Sequence, residues 1–319
     1  MSAAPVPRVA ALGGGHGLAA SLRALREITD ELTAIVTVAD NGGSSGRLRI
    51  ELDTLPPGDL RMALTALAAD SEWATTWARV FQHRFATGDL RGHAAGNLLM
   101  AALAEVTGSD VAGLALCGQL LGVRGRVLPM TTERVDIVAQ VAGLDPADED
   151  AVTVVRGQHE VATTRGRVCA VELLPAEPPA CSDAVTAVLD ADYVVLGPGS
   201  LFTSVLPHLL VPGLRRAIAK TPAAVVLCLN LVAQRGETSG FSPEAHLDAL
   251  QAHIPDLRVD HVVADASVLD RDGLMATARE VGATVHFAGV AADGQPGRHD
   301  PQLLAAAYRS VMTGHTANR

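Results

Sequence analysis

Residues 8–40, "RVAALGGGHGLAASLRALREITDELTAIVTVAD", constrain the fold more than any other stretch. Arg8 to Leu12 read as a strand, and the glycines that follow read as a turn. Leu18, Leu22 and Leu25 then fall on one helical face, which Ile28 continues. "TAIVTVAD" is a second strand, apolar throughout, as a parallel strand covered on both faces must be. Strand, helix and strand in this order make a right-handed βαβ unit.

The pattern returns later in the chain. "SDAVTAVLDADYVVLGPGSLFTSVLPHLLV" reads helix, strand, Gly-Pro-Gly turn, helix. "AAVVLCLNLVAQRGETSG" is a strand ending in a polar loop, and "DHVVAD" and "TVHFAGVA" are final strands. Ser242 caps a helix with Pro243 at its first position, and Asp300 with Pro301 caps the last one. Between these halves, helical patterns run from Asp59 to about residue 123, expected as an insert over the sheet edge. Residues 127–175 look like short strands around an acidic loop, and 314–319 form a short tail. The expected fold is α/β: a single domain over 1–319, built on a doubly wound, mostly parallel sheet with loops clustered at the strand carboxyl ends.

Of the 319 residues, 48% are hydrophobic, ample for a buried core, but only 3% are aromatic, so Ala, Val and Leu must fill it. The formal net charge of −10 lacks the broad basic face of a nucleic-acid binder, so no nucleic-acid partner is expected. Cys117, Cys169, Cys181 and Cys228 form no CxxC pair and read as scattered buried thiols. Pro and Arg interrupt the N-terminus where a signal peptide needs its apolar core, and no apolar run spans a bilayer. The expected location is cytoplasmic, without a membrane partner.

Three Gly-rich loops follow apolar strands. "GGGHG" (Gly13 to Gly17, with Gly14, Gly15 and His16 between) is either a phosphate-facing turn at a helix start or simply a tight turn. It matches neither G-x-G-x-x-G nor the P-loop pattern. "DNGGSSGRLR" places Asp40 and Asn41 at a strand end, followed by Gly42, Gly43, Ser44 and Ser45 as a nest of donors, with Arg47 and Arg49 bringing fork-shaped charge. "GPGSLFTS" puts Gly197, Gly199 and Ser200 before another helix. Three such loops after parallel strands point to one crevice for an anion, best read as a nucleotide diphosphate.

Further candidates surround them. Asp59 is a helix cap or a metal or ligand carboxylate, and Arg61 approaches phosphate from the helical insert. His93 and Asn97 share a helical face, His93 being a core or capping residue or else an acid. Asn230, Gln234 and Glu237 either read a base or sugar or simply bond a turn. The sequence shows no metal-ligand spacing, no G-x-S-x-G elbow and no pair identifiable as nucleophile and base. A binding site is legible; a reaction is not, and catalysis stays open with Asp40, Asp59 and His93 as its candidates.

Taken in order, "GGGHGL", "TAIVTVADNGGSSGRLR", "PPGDLR", "GHAAGNLL", "LGPGSLFTSVLPHLLV" and "NLVAQRGET" resemble the gluconeogenesis factor family, the YvcK-type branch of the CofD-like superfamily. The resemblance runs from about residue 8 to about 265. It implies a Rossmann-like fold and a cytoplasmic bacterial protein that binds UDP-N-acetylglucosamine or a related UDP-sugar. It also implies links to gluconeogenic growth and to cell shape through cell-wall precursor supply. The sister branch contains 2-phospho-L-lactate transferase, which implies the alternative: a magnesium-dependent transferase using a guanosine diphosphate carrier. His16, Asn41 and Ala233 depart from the family's usual Thr, Asp and Thr. Asp40–Asn41 offers one carboxylate where a pair would hold a cation, which weakens the magnesium reading. Ala-rich helices offer a face for a homodimer or a regulatory protein partner.

Overall fold

The computed structural model describes residues 6–148, 150–234, 238 and 240–317. Strand β1 (Val9–Gly13) feeds α1 (Gly15–Leu25) and β2 (Leu32–Val36). Helices α2 (Gly43–Glu51), α3 (Pro57–Ala66), α4 (Glu72–Gln82), α5 (Ala95–Thr107) and α6 (Asp110–Leu121) then lead to β3 (Arg126–Pro129). A smaller unit follows: β4 (Asp136–Ala142), β5 (Val152–Arg156), α7 (Gln158–Ala162) and β6 (Arg167–Leu174). The second half runs α8 (Ser182–Leu189), β7 (Tyr193–Leu196), a π-helical turn (Leu201–Val205), α9 (Leu206–Leu209), α10 (Pro212–Lys220), β8 (Ala224–Cys228), α11 (Pro243–His253), β9 (His261–Asp265), α12 (Arg271–Glu280), β10 (Thr284–Ala288) and α13 (Pro301–Ala317).

Seven of these strands form one parallel sheet in the order β10-β9-β8-β7-β1-β2-β3. The apolar runs go to its centre: every residue of β1, β7 and β8 is buried. Right-handed crossovers put α1 on one face, where it packs on α3 and α13, and put α10, α11 and α12 on the other. Leu18, Leu22 and Leu25 are the buried stripe of α1, as their spacing requires. Burial is worth about 1.5–3 kcal/mol for each such side chain. Few aromatics are needed: Tyr308, Phe81 and Phe202 are the largest fully buried side chains, among many Leu, Val and Ala.

The expected α/β doubly wound sheet is present, and five details differ from the reading of the sequence. "GGSSGRLRIE" is no loop but the helix α2, which Gly42 opens as N-cap. The helical segment is the β2-to-β3 connection itself: α3 lies on β2 and β3, and α6 covers the β3 edge. β3 belongs to the main sheet, so the small unit is the antiparallel sheet β5-β4-β6. Helix α13 continues through Ala317, into the stretch expected as a tail; residues 318 and 319 lie outside the described residues. Cys117, Cys181 and Cys228 are buried thiols, but Cys169 is exposed.

Candidate functional site

Sheet order decides where loops meet. After β1 the chain winds outward through β2 to β3, then returns to place β7 on the other side of β1. The winding direction reverses between β1 and β7, and ligands of open α/β sheets bind at the carboxyl ends beside such a reversal. The loops after β1, β2, β7 and β8 leave this one edge. Residues 13–17, 42–47 and 197–200 therefore share one rim.

The first and third loops touch. A side chain at Gly17 would run into the carbonyl of Pro198 and the Cα of Gly199, so only hydrogen fits. Gly199 adopts a φ of +151°, which favours glycine, and Asn230 holds it. Asn230 Oδ1 accepts from the Gly199 N–H at 3.0 Å, and its Nδ2 donates to the Gly199 carbonyl at 2.7 Å. Ser200 caps the π-helical turn through the Thr203 N–H at 2.9 Å. Below, the buried His208 ring lies 2.9 Å from the Ser204 carbonyl and 3.0 Å from that of Ile35, tying this turn to β2. Gly15 sits at the start of α1, with a φ of +57°, and His16 is exposed beside it.

The second loop joins the first through acids. Asp40 Oδ1 accepts from the Gly42 N–H at 2.8 Å, and Ser45 Oγ accepts from the Gly58 N–H at 3.1 Å. Asp59, in the first turn of α3, takes a backbone hydrogen bond from Gly15. A Cβ at Gly14 would stand 2.6 Å from Asp59 Oδ2 and 2.5 Å from Thr37 Cγ2. Burial first, and then the neighbouring Asp40, raise the Asp59 carboxyl to about 7 against the opposing Gly15 hydrogen bond and Arg61. At neutral pH it therefore exists as acid and carboxylate together, able to donate to a phosphate oxygen or to ligate a cation.

His93 and Asn97 meet on Ser44. The Ser44 hydroxyl lies 3.0 Å from His93 Nδ1, and Asn97 Nδ2 donates to Ser44 Oγ at 2.9 Å. All three are buried, and burial, more than the nearby Arg47, lowers the His93 pKa. A serine and a base within bonding distance is the pair that sequence spacing did not reveal, because 49 residues separate them. The N-termini of α1, α2, α3 and α5 thus converge, linked through Gly14–Asp59, Ser45–Gly58 and Ser44–Asn97.

All three candidate arginines point elsewhere, Arg49 pairing with Asp136 at 2.7 Å. Arg47 donates to the carbonyls of Arg91 at 3.0 Å and Asp89 at 3.3 Å. Arg61 is buried and donates to Gln82 Oε1 at 2.5 Å and the Phe81 carbonyl at 3.4 Å, and burial first, then Arg84, pulls its pKa down to about 10. Gln234 is half-buried with Oε1 buried and unpartnered among the described residues, whereas Glu237 lies outside them.

Two contributors were not read from the sequence. Thr37 Oγ1, just after β2, is buried without a hydrogen-bond partner among the described residues. Helix α7 of the small unit clasps the rim: Asn41 Oδ1 accepts from the His159 N–H at 2.9 Å, Asn41 Nδ2 donates to Glu160 Oε2 at 2.7 Å, and Gln158 Nε2 donates to the Thr203 carbonyl at 3.4 Å. Asn41 is thus a clasp, and an Asp there would set a second carboxylate against Glu160. The signal was "RGQHE", whose Gly157 takes a φ of +101°.

Among the described residues no group of three or more His, Cys, Asp or Glu is arranged to hold a metal, and no helix is long and apolar enough to cross a membrane. Cavities of about 240 Å³ beside α6 and β3, and about 580 Å³ between α8 and α10, are lined by no residue of the glycine loops.

Residues 9–298 match the family model described as 2-phospho-L-lactate transferase CofD. A Mycobacterium tuberculosis protein with the provisional name gluconeogenesis factor is 54% identical, over 95% of this chain and 90% of its own length. The gluconeogenesis factor of Bacillus subtilis is 39% identical, over 82% of this chain and 79% of its own length. A crystal structure of a UPF0052 family member from Bacillus halodurans superposes with a TM-score of 0.84 at 33% identity, covering 96% of this chain and 99% of that one.

Proposed function

The chain belongs to the CofD family, among relatives named gluconeogenesis factors, and from that premise we propose that it is a cytoplasmic nucleotide-sugar-binding regulator. Its ligand in this reading is of the UDP-N-acetylglucosamine type. Its output is control of growth on gluconeogenic carbon and of cell shape, through the supply of cell-wall precursors. The observation that carries the reading is the meeting of three glycine loops and four helix N-termini at the reversal between β1 and β7. Helix N-termini favour negative charge, and glycine lets backbone N–H groups approach it.

The diphosphate sits on the N–H groups that open α1 and α2, other than those of Gly15 and Gly42, which Asp59 and Asp40 hold, with protonated Asp59 as a further donor. Asn230 keeps Gly199 in place, and Gln234, beyond β8, is the candidate for reading a base or sugar edge. Positive charge comes from helix ends rather than arginine, since Arg47 and Arg61 bond protein carbonyls. An overall charge of −10 disfavours a nucleic-acid ligand. The regulatory output calls for a protein partner or a second copy of the chain. Calorimetry against UDP-N-acetylglucosamine, UDP, GDP and ADP tests the reading. A UDP-sugar should bind tightest; no heat and no thermal protection from any UDP-sugar removes it.

One observation favours a second reading. Asp40 and Asp59 form a half-buried acid pair whose repulsion a divalent cation would relieve. These two residues would hold magnesium, which supplies charge neutralisation at a transferred phosphoryl group in a transferase that uses a guanosine diphosphate carrier. Magnesium-dependent turnover with preference for guanine over uracil selects it.

A further inference from the structure

Ser44 is the second residue of α2, a helix of nine residues, and His93 directly precedes Ala94, the N-cap of the thirteen-residue α5. Asn97 Nδ2 can only donate, so Ser44 Oγ accepts from it at 2.9 Å. The serine proton is then directed to His93 Nδ1 at 3.0 Å, which must carry the lone pair, leaving the ring proton on Nε2. Ser44 is 7% exposed, His93 2% and Asn97 1%; the Asn97 amide oxygen is buried with no partner among the described residues. A buried amide spent on the rotamer of one hydroxyl, at the positive ends of two helices, exceeds what capping requires. Ser45 makes the contrast: its Oγ accepts from the Gly58 N–H, and among the described residues no histidine is bonded to it. A hydroxyl bonded to a buried imidazole is the arrangement of an activated nucleophile.

We propose that Ser44 is a nucleophile that takes the outer phosphoryl-bearing group of a nucleoside diphosphate compound bound in the crevice, with His93 as its base. The inference rests on the diphosphate reading above and adds an activity to it. Ser44 Oγ bonds the phosphorus distal to the nucleoside. The bond from that phosphorus to the bridging oxygen breaks, the nucleoside monophosphate leaves with the oxygen and its electron pair, and the serine proton passes to His93 Nδ1. UDP yields phosphoserine and UMP; a UDP-sugar yields a sugar-phosphoryl serine and UMP. The positive end of α2 faces the charge that builds on the phosphoryl oxygens. Burial keeps His93 neutral and able to accept the proton. The product is a stoichiometric mark on the protein, written only when the sugar nucleotide is present.

The full chain is incubated with UDP-N-acetylglucosamine, and separately with UDP, with magnesium at pH 5 to 9. Intact mass, peptide mapping and UMP release are followed, with calorimetry on the same preparation. We expect one sugar-phosphoryl or phosphoryl group on the Ser44 peptide and an equal amount of UMP. The rate should fall only in acid, below the ordinary imidazole range. Ser44→Ala, checked by its melting transition, should abolish the mark, and His93→Gln should slow it by about a hundredfold or more. Binding without mass change or UMP release in the unaltered protein overturns the nucleophile and leaves the binding reading intact. A mark mapped to Ser45 or another residue overturns it as well. Absence of binding by every UDP compound removes both.

Discussion

Asn230 brackets a single residue of the third glycine loop, accepting from the Gly199 N–H and donating to the Gly199 carbonyl across 31 positions of chain. Asn230→Asp keeps the shape but turns a carboxylate oxygen toward that carbonyl. Losing one bond and facing two acceptors should cost about 2 kcal/mol. Chemical denaturation measures that cost, and calorimetry should show UDP-sugar affinity weakened by about tenfold or more.

Gly17 packs against Pro198 and Gly199, so Gly17→Ala must push the first and third loops apart. Overpacking at such a contact costs about 1–3 kcal/mol. Ligand binding should suffer more than stability, because the displaced backbone is the binding surface. A melting-temperature shift of a few degrees with loss of UDP-sugar binding is the expected pair of readings.

Asp59 sets a pH dependence of stability. Its carboxyl rises from an ordinary 3.8 to about 7 in the folded protein, so folding favours the protonated form. That contribution is complete below the ordinary carboxylate range and is lost as pH climbs through about 7. Asp59→Asn cannot ionise and should flatten this slope. Melting curves of the two proteins should lie close at pH 4 and separate at pH 8, with the variant the more stable by a few kcal/mol at most, at about 1.4 kcal/mol per pKa unit.

Arg47→Ala removes donors to the carbonyls of Asp89 and Arg91, not to the rim. The exposed site limits the stability loss to about 1 kcal/mol. UDP-sugar affinity should change by less than about threefold, which calorimetry resolves; a large drop would return Arg47 to the phosphate role its sequence position suggested.

The sheet was legible because parallel strands announce themselves. "VAALG", "LTAIV" and "AVVLC" are apolar throughout and each ends in glycine or polar residues. The convergence of three loops followed from that alone, since all loops after parallel strands leave one edge. Contacts that depend on long-range closure were hidden. Arg47 and Arg61 read as phosphate ligands because composition shows a charge but not where its side chain reaches. The α2 helix was masked by two glycines and two serines in its first turn, residues common in loops as well as caps. Ser44 and His93 are unremarkable until α2 and α5 are packed together, and the clasp of α7 on Asn41 spans 119 positions.

The strand order carries one more consequence. β1 is complete at Gly13, yet its neighbour β7 begins at Tyr193, so the crevice needs two walls made far apart in time. A ribosome that has released everything up to Ala191 has exposed half a cleft and a naked β1 flank. Pairings this distant form late and slowly. A nascent or C-terminally truncated chain should therefore lack the crevice, and loss of residues after β7 should dismantle it as completely as a lesion in the glycines themselves.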